Sequence, residues 1–302
     1  MDGIIVIDKP QEFTSFDVVA VMRRVCGQKK IGHTGTLDPM ATGVLPLLLG
    51  CATRAEPLLD DSSKEYEASF RLGFSTDTED VSGQVTAESS VKVDEETLLK
   101  TIPQFRGNIF QIPPMYSAVH KDGKRLYELA RQGIEVEREK RPVTISRLEL
   151  LAFDETQQEG RIVVACSKGT YIRTLCADLA AACGTLGVMS SLRRTKAAGF
   201  GLSDSIPLAQ ARELSRQEIS ARLFPVDTLF RARPSISVTS AQAVRFSNGG
   251  ALSLQRTGIP SNCQNGDQFR IYTPDRRFLG LGCVDLPKQE LRVFRLFLES
   301  QG

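Results

Sequence analysis

The chain has 302 residues and a formal net charge of +2, from 38 Lys and Arg against 36 Asp and Glu. At 41% hydrophobic and 25% charged, it has the composition of a soluble globular protein, long enough for two domains or one large domain with an appendage. That composition excludes a disordered tail or a collagen-like repeat. The near-balance hides an asymmetry: residues 231–302 carry ten basic and five acidic side chains, a charge of +5, while residues 1–230 carry 28 and 31, a charge of −3. A basic tail on a mildly acidic body suggests a polyanionic partner. The seven cysteines form no CxxC pair and are odd in number, which argues against a disulfide framework and for a reducing, cytoplasmic setting. With only His33 and His120 available, a Cys/His zinc site is not expected, nor any other metal. No stretch reaches the roughly 18 apolar residues of a membrane span. The N-terminus meets Asp8 and Lys9 after a short apolar run, unlike a secretory leader.

In chain order, Gly3 to Ile7 predicts a buried strand. Ser15 then caps a helix to Cys26, with Phe16, Val19 and Met22 on its inner side and Gly27 as its stop. Glu65 to Phe74 alternates strictly, with Tyr66, Ala68, Phe70, Leu72 and Phe74 on one face, which predicts an antiparallel or edge strand. Asp77 to Gly83 reads as a loop. Asp94 starts a helix that buries Leu98 and Leu99. Pro113-Pro114 opens an extended segment, Asp122-Gly123 marks a tight turn, and a short helix carrying Arg125, Tyr127 and Arg131 follows. Residues 121–147 hold eight basic and five acidic side chains. Arg161 to Ser167 predicts a strand, and Thr170 a cap for an Ala-rich helix ending near Gly184. After Phe230 the composition changes, and Ala232-Arg233-Pro234 reads as a linker. A helix over Ser240–Ser247 and strands over 268–273, 278–284 and 291–297 predict a small β-rich domain.

No phosphate-binding GxxxxGK[ST] loop, dinucleotide-binding GxGxxG, GxSxG elbow or HExxH motif is present. What stands out is Gly32-His33-Thr34-Gly35-Thr36-Leu37-Asp38-Pro39 followed by Ala41-Thr42-Gly43. Asp38 is the only carboxylate between Asp17 and Glu56 and has apolar neighbours. It is either a turn former before Pro39 or a functional group with a cationic partner. Arg173, in the first turn of an otherwise apolar helix, is a surface residue or that partner; a planar fork would keep the aspartate ionised in a dry site.

The glycine-rich stretch, continued by Val44-Leu45, resembles the catalytic motif of the TruB family of pseudouridine synthases. Three further matches follow the family's order. Lys9-Pro10 with Thr14-Ser15 is similar to its N-terminal motif. Pro113 to Ala118, with Gly123, Tyr127 and Ala130-Arg131, is similar to its RNA-gripping insertion. Lys168 to Leu175 with Asp178-Leu179, then Leu192-Arg193-Arg194, is similar to its third motif region. The resemblance covers residues 1 to about 230 strongly and the tail weakly. Two positions depart from it: Glu12 stands where the family has glycine, and His120 where it has lysine.

The resemblance implies an α+β fold: a mixed, largely antiparallel sheet with flanking helices and a central cleft, plus a small C-terminal β-rich, PUA-like domain. It implies a catalytic domain over residues 1–230, with the insertion at about 111–142, and an RNA-binding domain over 231–302. The implied activity is isomerisation of uridine 55 in the T-arm loop of tRNA to pseudouridine after the base is flipped; the alternative is a non-catalytic tRNA-binding or tRNA-folding module. Asp38 is the implied catalytic carboxylate, through attack at C1′ or through loss of the C2′ proton. Arg173 pairs with it, and Tyr66 stacks on the base and serves proton transfer. His33 meets the flipped-out nucleotides, Tyr171 and Leu192 line the pocket, and Lys9 and Pro10 support it. Lys121, Lys124, Arg125, Arg131, Arg193, Arg194 and Lys196 are candidates for phosphate contact. No metal or organic cofactor and no obligate protein partner is expected, and the chain is expected to act as a monomer on tRNA, away from membranes.

Overall fold

A computed structural model describes residues 1–59, 63–121 and 123–298. Asp122 of the expected Asp122-Gly123 turn lies outside the described residues. Strand β1 (Gly3–Lys9) is buried on both faces along Ile4 to Ile7. Helix α1 (Ser15–Cys26) is capped by Thr14, not Ser15. The Thr14 hydroxyl accepts from the Asp17 N–H, and the Asp17 carboxylate accepts from the Thr14 N–H. Ser15 is unavailable as a cap because its Oγ is turned inward, accepting from the Leu37 N–H at 2.8 Å. The buried stripe of α1 is Val18, Val19, Met22 and Cys26, and Gly27 ends the helix in the left-handed region. Phe16, expected on that stripe, is 65% exposed.

Strands β2 (Ile31–His33) and β3 (Thr42–Leu49) flank the glycine-rich loop. Strand β4 (Lys64–Leu72) buries Tyr66, Ala68, Phe70 and Leu72 as its alternation predicts. It stops before Phe74, which belongs to β5 (Phe74–Thr76), paired with β6 (Val85–Glu88). In α2 (Glu95–Thr101), capped by Asp94, Leu98 is buried but Leu99 is 54% exposed, one residue turning it about 100° off the core. Strand β7 (Gly107–Gln111) leads into an excursion with a small hairpin, β8 (His120–Lys121) and β9 (Lys124–Arg125), and a one-turn helix α3 (Leu126–Ala130). The chain returns along β10 (Arg141–Asp154), which pairs directly with β7. Next come β11 (Glu159–Cys166) and α4 (Ile172–Ala182). Tyr171, not Thr170, is the residue before α4, since the Thr170 hydroxyl donates back to the Ser167 carbonyl. Strand β12 (Gly187–Ala197) is followed by β13 (Phe200–Gly201), β14 (Ile206–Pro207), α5 (Leu208–Glu213) and α6 (Arg216–Ala221). The tail holds β15 (Ser235–Ser237), α7 (Ser240–Ser247), β16 (Leu252–Ser253), β17 (Gln268–Tyr272), β18 (Phe278–Asp285) and β19 (Glu290–Leu296).

The large sheet runs β14-β1-β3-β12-β4-β11-β10-β7, with β2 on β3 and β13 on β12. It is antiparallel except at β1/β14 and at β3/β12. The fold is α+β, as expected. A second, five-stranded sheet, β15-β17-β18-β19-β16, forms the tail.

Alternation sorts the large sheet into two faces. Ile5, Ile7, Leu45, Leu47 and Tyr66 face a core shared with α1 and α4; this is the front. Ile4, Val6, Val44 and Leu48 face a second core that includes Leu281 and Phe297 of the tail. The Phe230, Phe278 and Phe297 rings pack there, with centroids 5.5 Å (Phe230–Phe297) and 5.7 Å (Phe278–Phe297) apart. The tail is thus docked on the back of the sheet, although it also has its own core around Phe246, Ile271 and Leu279.

Candidate active site

The site forms at the front of the β3/β12 junction, the place where two parallel strands leave room for the loop between β2 and β3. Register sets Gly43 opposite Arg194. Gly43 has φ 103°, and a Cβ there would fall 2.2 Å from the Arg194 carbonyl oxygen, so only glycine lets the strands meet.

Buried donors hold the loop through its carbonyls. Arg194 Nε donates to the Val44 carbonyl at 2.7 Å, Nη1 to Thr36 at 3.3 Å and Nη2 to Gly35 at 3.1 Å. Lys9 Nζ donates to the carbonyls of Pro10 at 2.9 Å and Pro39 at 3.2 Å, and also to that of Phe13. Burial pushes the Lys9 ammonium down to about 8. The Glu12 N–H donates to the Pro39 carbonyl at 2.8 Å. Glu12 achieves this at φ 67°, a conformation easy for glycine and unfavourable for glutamate. This is the physical meaning of the departure at that position.

The loop presents Asp38, partly exposed, to Arg173 on α4. Arg173 Nε lies 3.1 Å from Asp38 Oδ2. The contact is through Nε alone, not a two-pronged fork. Both Nη atoms are occupied by backbone carbonyls, Nη1 by Thr78 and Nη2 by Tyr116, each at 2.8 Å. Sequence reasoning missed a second carboxylate, Asp80, 3.8 Å from the same Nε and buried. Asp80 Oδ1 accepts from the Thr78 hydroxyl and the Ser82 N–H. Its Thr-x-Asp-x-Ser setting was legible as a turn, but nothing in the sequence linked it to Arg173. Tyr116 ties the excursion between β7 and β10 to the site. Gln111 clamps the start of α4 by accepting from the Tyr171 N–H and donating to the Tyr171 carbonyl.

Tyr66 on β4 is buried beside Leu192, and its phenol lies against the Arg194 guanidinium. Burial pushes the phenol up, so it is a neutral donor at pH 7. His33 is half-buried on β2, and burial pushes its imidazole down. Its buried Nδ1 has no partner among the described residues. Pro10 is exposed at the rim. A cavity of about 410 Å³, reaching Lys9, Phe13, Arg193 and Arg212 but not Asp38, opens beside it.

The seven phosphate candidates divide. Arg194 is corrected: it is fully buried with its donors spent on loop carbonyls, so no phosphate reaches it. Arg193 and Lys196 point to the opposite face of β12 and are engaged by carboxylates, Asp8 at 2.7 Å and Glu65 at 3.3 Å. Lys124, Arg125 and Arg131 are exposed on the excursion, with Arg131 5.4 Å over the Tyr127 ring. Lys121 Nζ donates to the Glu137 carbonyl. Among the described residues no three His, Cys, Asp or Glu side chains are grouped to hold a metal, and no helix is long and apolar enough to cross a membrane.

The architecture recurs in known proteins. A chain of the Cbf5–Nop10–Gar1 complex superposes with a TM-score of 0.74 at 25% identity, over 98% of this chain and 85% of that one. A chain of the archaeal box H/ACA Nop10–Cbf5 complex shares the fold at 23% identity, with a TM-score of 0.74 over 99% and 87%. The model of the TruB family pseudouridylate synthase N-terminal domain matches residues 23–172. The models of the tRNA pseudouridylate synthase B C-terminal domain and of the pseudouridine synthase II TruB C-terminal region match residues 173–231 and 234–296. The fold is therefore that of the pseudouridylate synthase class. The relative from Syntrophomonas wolfei, tRNA pseudouridine synthase B, is 42% identical over 98% of this chain and 99% of its own. Its namesake in an Azoarcus species is 43% identical over 100% and 97%. The chain belongs to the TruB family.

Proposed function

We propose that the protein is a tRNA pseudouridine synthase that isomerises uridine 55 in the T-arm loop, with Asp38 as its catalytic carboxylate. The observation that carries this reading is the Asp38–Arg173 contact. A carboxylate facing a polyanionic substrate is a liability for a simple RNA binder, yet here a buried arginine and a tethered loop hold it in place. The names of the full-length relatives supply the substrate class.

The reaction breaks the N1–C1′ bond, turns the base over and joins C5 to C1′. The C5 proton is lost and N1 gains one, so atoms and electrons balance without an oxidant. Asp38 acts at C1′ directly or takes the C2′ proton. Arg173 holds its direction and charge, and Asp80 holds Arg173. The neutral Tyr66 phenol stacks on the base and supplies a proton-carrying group. His33 packs against flipped nucleotides, Tyr171 and Leu192 line the pocket, and Lys9 and Pro10 support the loop. Lys124, Arg125 and Arg131 meet phosphates of the T-arm. Residues 1–230 form the catalytic domain and 231–302 a PUA-like RNA-binding domain. The protein works as a monomer in the cytoplasm, and cysteines that form no disulfide among the described residues suit that reducing setting.

Mapping pseudouridine in tRNA incubated with the protein and with Asp38→Asn tests the reading. The expected result is modification at one T-arm uridine by the wild type. The variant should give none, with tRNA affinity held within about threefold. Tight binding without isomerisation by the wild type would instead establish a non-catalytic binder.

A further inference from the structure

Lys64, the first residue of β4, sits inside the cleft mouth and has no role so far. Its Nζ lies 3.2 Å, and its Cε 3.4 Å, from the point where a Cβ on Gly35 would stand. Arg194 Nη1 lies 3.8 Å from that same point. Two cations therefore approach one spot beside the catalytic loop, and the missing side chain of Gly35 is what admits them. The charged neighbours of Lys64 are Arg194 and Lys168, both cations, and its other ionisable neighbours are the Cys166 thiol and the His33 imidazole, which the ammonium helps to push down. Among the described residues no hydrogen bond or ion pair reaches Lys64 Nζ. Burial pushes the ammonium down to about 8. A half-buried cation facing two others, with no carboxylate, is unfavourable in isolation and becomes favourable once an anion arrives.

The strand supplies the direction. Lys64 and Tyr66 are two residues apart on β4, so they project from the same face, about 7 Å apart. Lys64 thus stands beside the tyrosine that receives the base. Arg194 cannot touch a ligand itself, because it is fully buried and each of its three nitrogens donates to a carbonyl; it adds positive field from beneath Gly35.

We infer that Lys64, cradled against Gly35 and backed by Arg194, binds a phosphodiester of the strand that carries the target uridine. This rests on the reading of the protein as a tRNA-modifying enzyme, and assigns the contact that holds the flipped nucleotide's backbone while its base lies over Tyr66.

The test compares Lys64→Ala, Lys64→Gln and Lys64→Arg with the wild type. It measures binding of unmodified tRNA transcript at several salt concentrations and single-turnover pseudouridine formation at saturating tRNA. Loss of one phosphate contact should weaken binding about tenfold at 0.1 M salt and reduce the salt slope by about one. Lys64→Arg should restore both, and in Lys64→Ala and Lys64→Gln the saturating rate should fall by a smaller factor than the affinity. Unchanged affinity and slope in Lys64→Gln would overturn the assignment, as would unchanged affinity with a lost saturating rate, which would place Lys64 in the chemistry. Failure of the functional reading shows separately, as a wild type that forms no pseudouridine. Thermal unfolding of each variant separates loss of fold from loss of contact.

Discussion

The two faces of the large sheet hold several of their cations by different partners. On the front, Arg194 and Lys9 are held by backbone carbonyls, and Arg173 meets Asp38 and Asp80 with one nitrogen while two others bind carbonyls. On the back, Arg193 is matched by Asp8, and Lys196 and Arg147 share Glu65. A carbonyl satisfies a donor without cancelling its charge, whereas a carboxylate does both. Lys9 and Arg194 therefore keep their positive field near Asp38 on the front, whereas Arg193 and Lys196 on the back are matched by carboxylates. A net charge of +2 reports neither fact.

After Asp38→Asn, the largest expected effect comes from Arg173→Lys. An ammonium cannot reach Asp38 and the Thr78 and Tyr116 carbonyls with one planar group. Single-turnover rates on saturating tRNA should fall about a thousandfold while affinity changes little, because the geometry of the aspartate is lost rather than the RNA contacts. A lysine variant with near-normal rate would show that the front arginine is merely structural.

Neighbouring residues sharpen the comparison further. Arg194→Met strips the donors from the Gly35, Thr36 and Val44 carbonyls and should destabilise the protein by about 3 kcal/mol, read from the denaturant midpoint. Arg193→Met removes a partly exposed pair and should cost less than about 1 kcal/mol. Equal costs for the two would contradict the division between faces. Tyr66→Phe is intermediate. It keeps the ring and removes a buried hydroxyl, so it should cost about 1 kcal/mol in stability and lower the rate more than the affinity.

What the sequence made legible follows the same line. Strand β4 was readable because one face is wet, which leaves a strict alternation. The β-branched run of β1 was readable because both its faces are buried. The aspartate loop was readable through its glycines and its resemblance to a family motif. Arg194 was misread because adjacent arginines in a sequence look alike, and only the register of β12 against β3 tells which one turns inward. Asp80 was missed because its partner lies 93 residues away on another element. The tail's charge suggested a separable RNA-binding appendage. Its burial of Leu281 and Phe297 against Ile4 and Val6 is a tertiary fact that no local pattern announces.

The smallest expected effect is the most discriminating for the charge argument. Arg193→Ala and Lys196→Ala each remove a cation that the resemblance assigned to phosphate. If their carboxylate partners already neutralise them, tRNA affinity should move less than about twofold, and the salt slope of binding should not change for either variant. The exposed Arg125, with no carboxylate ion pair among the described residues, makes the control, since Arg125→Ala should lower the slope by about one. The control also guards against a trivial result, because a method too insensitive to detect Arg125 would report nothing for the other two. Should Arg193→Ala flatten the slope as Arg125→Ala does, Asp8 must release its partner when RNA binds. The back of the sheet would then be part of the RNA path rather than its neutral support.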